Sequence, residues 1–369
     1  MLLPGLINPH VHLELSHCVA GDSVGGASFT EWITSIRRRM NPNEQAIEEA
    51  AESAARIGIE QCLKFGVTTV GDISGLCGAT RRVLRDSPLR AVSFGEVLGL
   101  AKARPRAEES LEGAIDDTHA SDRLKIGITP HSPYTVDQEM YRKCIDIARQ
   151  RKLSVATHLA ESSDEREFLV DHAGPFRVVW DSLDSWAEPV PTFKGSPIEF
   201  AAAVGLLEYG ALLAHVNYCD DEEMKLLSSG RASVVYCPRT HRYFGHPPHR
   251  WRAMLNRGIN VAVGTDSCAS SPDLNIVNDL RLLREIAPEL SAMQLFELVT
   301  TRAARALHMQ DEIGCLAPGK FADLVAFESH AADDPLEEIL TSKTLPSAVW
   351  IGGVKCGSDF SQATSPDLR

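Results

Sequence analysis

Eight times along this chain of 369 residues a short apolar run gives way to a segment with apolar residues at helical spacing. That alternation narrows the choice of fold more than any other feature of the sequence. The strand-like runs are the stretch opening at Leu6, then 67–73, 90–98, 124–129, 153–158, 211–215, 232–237 and 260–264. Between them lie helical patterns at 44–65, 79–85, 107–119, 137–151, from about Ser163, 220–229, 250–257 and, as several helices, 275–308. Eight strands each followed by helix predict an α/β protein of the (β/α)8 type, a TIM barrel. A doubly wound open sheet shares the alternation but calls for a Gly-rich first turn, which this sequence lacks.

Two regions depart from the rhythm. Residues 174–197 carry Trp180, Trp186 and four prolines with little periodicity, which predicts a long loop after the fifth strand. Beyond His308 the chain becomes turn-punctuated and β-rich at 313–327 and 346–355, the pattern of a small outer sheet. The expected division is a barrel over 5–308, a β appendage from 1–4 and 309–356, and a flexible polar tail over 357–369.

Composition removes several classes of function. With 44% hydrophobic and 24% charged residues the chain is neither disordered nor fibrous, and a net charge of −13 argues against binding nucleic acid. No long uncharged apolar run is present to cross a membrane, and the N-terminus lacks a signal-peptide pattern. Nine scattered cysteines, an odd number without any Cys-x-x-Cys, read as reduced thiols in a reducing compartment, hence the cytoplasm. Cys219, Cys237 and Cys268 lie near suspected active-site strands and read as small core residues.

Histidines fall where such a barrel places its chemistry. His10 and His12 end the first strand, His131 follows the fourth, His158 ends the fifth, His215 the sixth, and Asp266 follows the eighth. The carboxyl ends of barrel strands are the usual seat of catalytic groups. In a strand, residues two apart share a face, so both rings of His10-Val-His12 can turn to one ion. His10, His12, His158 and Asp266 make a ligand set suited to one divalent metal ion, zinc foremost and iron second, with a position left for water. Water so bound becomes a nucleophile near neutral pH. Glu161, three residues after His158, suits a general acid/base. His215 either orients that water or adds a ligand, and His131, held between two prolines, could bind substrate.

The segment from Pro4 to Glu14, the His158-x-x-Glu161 pair, His215, Gly264-Thr-Asp-Ser267 and Pro318-Gly-Lys-Phe-Ala-Asp-Leu324 together resemble the amidohydrolase superfamily. The branch most similar is that of the aminohydrolases and chlorohydrolases. The resemblance spans nearly the whole chain. It implies a mononuclear metal site and hydrolytic displacement of an amino group from an aromatic heterocycle, a small-molecule substrate, and leaves a homodimer open. Binuclear members place a bridging lysine at the end of strand four, where this chain has His131, which favours one metal. Residues 130–135, 12–16 and 237–246 resemble aminodeoxyfutalosine deaminases and their relatives, and by that likeness Glu14, Arg239 and His241 are candidate substrate contacts. Hydrolytic dechlorination, opening of a cyclic amide, and a non-catalytic metal- or nucleoside-binding barrel are the alternatives. Relatives carry several dozen residues before the first metal motif. Here that motif begins almost at once, so the resemblance predicts an incomplete outer sheet with an uncovered apolar face over 324–327 and 349–351.

Overall fold

The computed structural model describes residues 1–20, 28–39, 44–330 and 333–357. Among these residues twelve strands form two sheets. The outer sheet contains β1 (Leu2–Pro4), β10 (Leu324–Phe327), β11 (Pro346–Ile351) and β12 (Val354–Lys355), all antiparallel. The inner sheet runs in chain order, every pair parallel: β2 (Leu6–Val11), β3 (Val67–Ser74), β4 (Arg90–Val97), β5 (Leu124–Pro130), β6 (Ser154–Leu159), β7 (Leu212–His215), β8 (Ser233–Tyr236) and β9 (Asn260–Val263). This is the (β/α)8 architecture that the alternation predicts, with helices between successive strands.

Alternation within each strand sorts the core into two shells. Ile7, Val92, Phe94, Ala156, Leu212, Ala214, Val235 and Ala262 point into the barrel, where Leu307, Met309 and Ile313 join them. Their neighbours Leu6, Ala91, Val155, Leu213, Val234 and Val261 point outward into the larger core beneath the helices. Alanines on β6, β7 and β9 keep the inner layer thin, which leaves room above it for larger polar side chains.

Closure between β2 and β9 rests on a side chain. Asn8 donates through Nδ2 to Thr265 Oγ1 at 2.7 Å and accepts from the Thr265 amide at 3.1 Å, while the Asp266 amide donates to the His10 carbonyl at 3.1 Å. Close approach here needs glycine: a Cβ at Gly264 would lie 3.0 Å from both Cβ and O of His10.

Three expectations change. Residues 174–197 are not one long loop, because Gly174–Ser182 is a helix with Pro175 in its first turn, and Pro197–Val204 is another with a Ser196–Glu199 capping box. The first of these helices is held by aromatic packing: Tyr134 and Phe176 stack at 4.0 Å, and Trp180 donates to the Tyr134 carbonyl at 2.9 Å. The outer sheet is also covered. Val325, Phe327, Val349 and Ile351 are buried with Leu336, Ile339 and Leu340 of the helix Pro335–Thr341, and the bare Gly66 lets Val325 pack against the barrel. A salt bridge pins this sheet to the barrel: Arg90 Nε lies 2.6 Å from Asp323 Oδ2, with Phe321 stacked 3.7 Å from the guanidinium. Third, the helices Phe29–Arg39 and Pro238–Phe244, which the spacing does not predict, add Phe29, Trp32 and Phe244 to an aromatic cluster above the barrel mouth. The tail from 358 onward lies outside the described residues. No helix among those described is long and apolar enough to cross a membrane.

Replacing Asn8 by Ala is expected to cost about 2–3 kcal/mol, because the buried Thr265 amide loses its acceptor and the Thr265 hydroxyl, which still donates to the Asp266 carbonyl at 3.1 Å, loses its donor. Urea unfolding checks this; a change below about 0.5 kcal/mol, the scale of an ordinary surface substitution, contradicts the seam's role.

Candidate metal centre

Four strand ends bring five side chains together at the barrel mouth. His10 and His12 come from β2 and the residue after it, His158 from β6, His215 from β7, and Asp266 from the turn after β9. His12 Nε2 and His158 Nε2 stand 3.2 Å apart, and Asp266 Oδ1 lies 3.7 Å from His10 Nε2 and 3.6 Å from His12 Nε2. Ligands about 2.0–2.2 Å from a tetrahedral zinc are separated by about 3.3–3.6 Å. Tautomers agree with this spacing. His158 Nδ1 meets the His131 carbonyl at 3.2 Å, so that nitrogen carries the proton and Nε2 keeps its lone pair. His10 Nε2 and His215 Nε2 are buried without a hydrogen-bond partner, which is costly for an imidazole unless something else occupies it. The cluster therefore fits a divalent cation by both spacing and donor chemistry.

Charge follows burial. Burial holds His10 and His158 well below the usual imidazole range and His215 at about 4, so all three stay neutral at pH 7. Burial pushes Asp266 upward, but the imidazoles of His10, His215 and His12 outweigh it and bring the carboxyl below its ordinary value. Glu161 behaves in the opposite way: burial, then the charges of Asp266 and Glu165, push it well up. Its Oε1 lies 3.3 Å from His215 Nε2.

Local backbone is bent to reach this arrangement. Ala160, His215, Val216 and Asp266 adopt φ of 49°, 73°, 51° and 59°, a left-handed conformation that costs side-chain-bearing residues on the order of 1 kcal/mol or more each. Such strain persists only where neighbours enforce it. Glu165 does so for the Glu161 turn, accepting from the amides of Ala160 at 2.8 Å, Glu161 at 2.6 Å and Ser162 at 3.2 Å. For Asp266, the Ser267 amide donates to Oδ1 at 2.7 Å and Ser270 Oγ to Oδ2 at 3.2 Å. His249 Nε2 donates to the His215 carbonyl at 2.9 Å.

The other candidates divide. His131 sits beside the cluster, its ring 4.8 Å from that of His158 and its Nδ1 held by Ser132 and Thr135. Glu14 is taken up by the chain itself: its carboxylate accepts from Ser74 Oγ and from the amides of Gly75 and Leu76, and so fixes the turn that leads into the helix Cys77–Asp86. Arg239 bridges Asp273 at 2.6 Å and Asp279 at 2.9 Å, an ion-pair strut rather than an open guanidinium. His241 Nε2 donates to the Pro247 carbonyl at 2.9 Å. One group escaped the sequence reading. Glu96 follows Val92 and Phe94 on the inward face of β4 and ends 3.9 Å from His131 Nε2, so the rule of strand ends that singled out the histidines applies equally to it.

Comparison with known proteins agrees with this geometry. An aminodeoxyfutalosine deaminase of Nitratiruptor sp. is 27% identical over 362 residues, covering 96% of this chain and 86% of the relative. A 5-methylthioadenosine/S-adenosylhomocysteine deaminase of Halothermothrix orenii is 26% identical over 340 residues, covering 88% and 72%. Among solved structures, the aminofutalosine deaminase of Helicobacter pylori in complex with methylthio-coformycin superposes with a TM-score of 0.81 at 25% identity, covering 96% of this chain and 86% of that one. Residues 1–355 match the family described as the amidohydrolase family, and with its barrel and its clustered histidines the chain belongs to that family.

Proposed function

We propose that this protein is a metal-dependent deaminase of an adenosine-like nucleoside, with His10, His12, His158 and Asp266 as ligands and Glu161 as proton carrier. The observation that carries the reading is the Glu161 carboxyl, buried beside His215 at the edge of a cluster that fits a cation. The relatives named as aminodeoxyfutalosine, 5'-deoxyadenosine and methylthioadenosine deaminases support the substrate class. Nitrogen-rich ligation favours zinc. Nine scattered cysteines, an odd number with no Cys-x-x-Cys, support a reducing compartment, the cytoplasm.

The cation, when bound, supplies a water acidified to near neutrality and polarises the reacting centre. The remaining work falls to the chain. Glu161, whose carboxyl is pushed well up by burial, is suited to hold a proton and give it to the ring while the water attacks. It then relays the water's proton to the amino group, which departs as ammonia and leaves oxygen on the heterocycle. His215 Nε2, aimed into the same space, orients the attacking oxygen. Asp266, kept ionised by its three imidazole neighbours, accepts the second proton.

Glu161→Gln is expected to lower ammonia release from adenine nucleosides by about a hundredfold or more while zinc content stays at one equivalent. Equal turnover of variant and wild type would sink the proton-carrier assignment. Halide released from a chlorinated heterocycle, or a carboxylate product, would move the reading to a different hydrolysis. Bound ion without any turnover would favour a binding barrel.

Metal retention should follow the depressed imidazoles. Their folded pKa values lie below the usual 6.5, so the neutral, ligating form persists as pH falls through 6.5 and is lost only on further acidification. Dialysis against buffered zinc is expected to leave one equivalent bound at pH 6 and to lose it towards pH 4. Loss already complete at pH 6.5 would contradict the assignment of ligands.

A further inference from the structure

We propose that Thr240 and Ser270 form a directed chain of hydroxyls, held in register by Arg239, that fixes Asp266 Oδ2 and so presents Oδ1 to the cation. Both hydroxyls act through Asp266, which makes them positioning residues, and the proposal rests on the deaminase reading for the assignment of Asp266 as a ligand.

The chain of hydroxyls joins the segments that follow β8 and β9. Ser270 Oγ donates to Asp266 Oδ2 at 3.2 Å, and Thr240 Oγ1 lies 2.9 Å from Ser270 Oγ. All three residues are buried. Counting protons sets the direction: an ionised carboxylate only accepts, so the single O–H of Ser270 is spent on Oδ2 and the second bond must be donated by Thr240. The other carboxylate oxygen is held differently. Oδ1 accepts from the Ser267 amide at 2.7 Å and stands 3.7 Å from His10 Nε2 and 3.6 Å from His12 Nε2. One oxygen thus faces the histidines while its twin is anchored in the wall.

Each hydroxyl has its own support. The amides of Ser270 and Ser271 donate to the Ser267 carbonyl at 3.2 and 2.9 Å, a turn that folds Ser270 back onto Asp266. Thr240 lies in the first turn of the helix Pro238–Phe244, directly after Arg239. The Arg239 amide donates to Asp279 Oδ1 at 3.2 Å, and its guanidinium reaches the carbonyls of Asp273 and Asn275 at 2.8 and 3.2 Å besides the carboxylates of Asp273 and Asp279. That strut ties the segment carrying Thr240 to the segment that follows Ser270. Hydrogen bonds to a ligating carboxylate orient it, and losing such a partner typically costs about 10–100-fold in metal affinity. Asp266 has particular need of them, because its own backbone is held in the left-handed region at φ 59°.

The test is the zinc affinity of the full chain, read by competition with a chelating dye in the absence of substrate. Ser270→Ala is expected to weaken zinc binding about tenfold or more, Thr240→Val about threefold or more, and Thr240→Ser, which keeps the hydroxyl, by less than about twofold. The double variant Thr240→Val, Ser270→Ala should match Ser270→Ala alone to within about twofold, because a chain already broken at Ser270 has nothing further to lose at Thr240. Should Thr240→Val fail to fold by circular dichroism, Thr240→Ala deletes the same hydroxyl and should give the same shift. Zinc affinity within about twofold of wild type in Ser270→Ala or Thr240→Val, equal losses in Thr240→Val and Thr240→Ser, or losses that multiply in the double variant would overturn the proposal. Asp266→Asn should weaken zinc more than any of these variants; unchanged affinity there would overturn the ligand assignment and the proposal with it. Failure of the deaminase activity is separate: it would appear as no ammonia from any adenine nucleoside while these shifts in zinc affinity hold.

Discussion

The pairing of Asn8 with Thr265 across the barrel seam is the contact on which the site depends. β2 and β9 are joined there by one side chain acting as donor and acceptor together with a single amide from Asp266 to His10. The residues that make the join are the neighbours of those that line the cluster. Closing the sheet and bringing Asp266 to within 3.7 Å of His10 and His12 are therefore one structural event.

Around that join the chain places groups where water would otherwise stabilise different charge states. Three imidazoles are held neutral, one carboxylate is kept ionised, and another is raised, all within a few ångströms. Titratable groups driven apart in this way divide acid from base roles. Left-handed backbone at His215 and Asp266, held by hydrogen bonds from His249, Ser267 and Ser270, fixes where these two side chains leave the barrel rim.

Much of the architecture was legible because period-two and period-3.6 patterns are local. β6 shows why: Val155 and Ala156 sort to opposite shells, and the same count turns His158 inward. The roles of Glu14 and Arg239 were not legible, because their partners lie far along the chain. Ser74 is 60 residues beyond Glu14, and Asp279 is 40 beyond Arg239. The helix Gly174–Ser182 was hidden by its shortness, although Pro175 and the i, i+4 pair Phe176 and Trp180 were its signal. The cover over the outer sheet was unreadable for another reason. It comes from the helix Pro335–Thr341 and from a bare glycine on the barrel, which only the tertiary arrangement brings together.

The seam also orders events in time. Asn8 and Thr265 are 257 residues apart, so during synthesis the first strand must wait for the eighth before its last hydrogen bonds can form. A cation that draws on both His12 and Asp266 would have no complete site until the chain had passed residue 266, so it would stabilise only the closed ring.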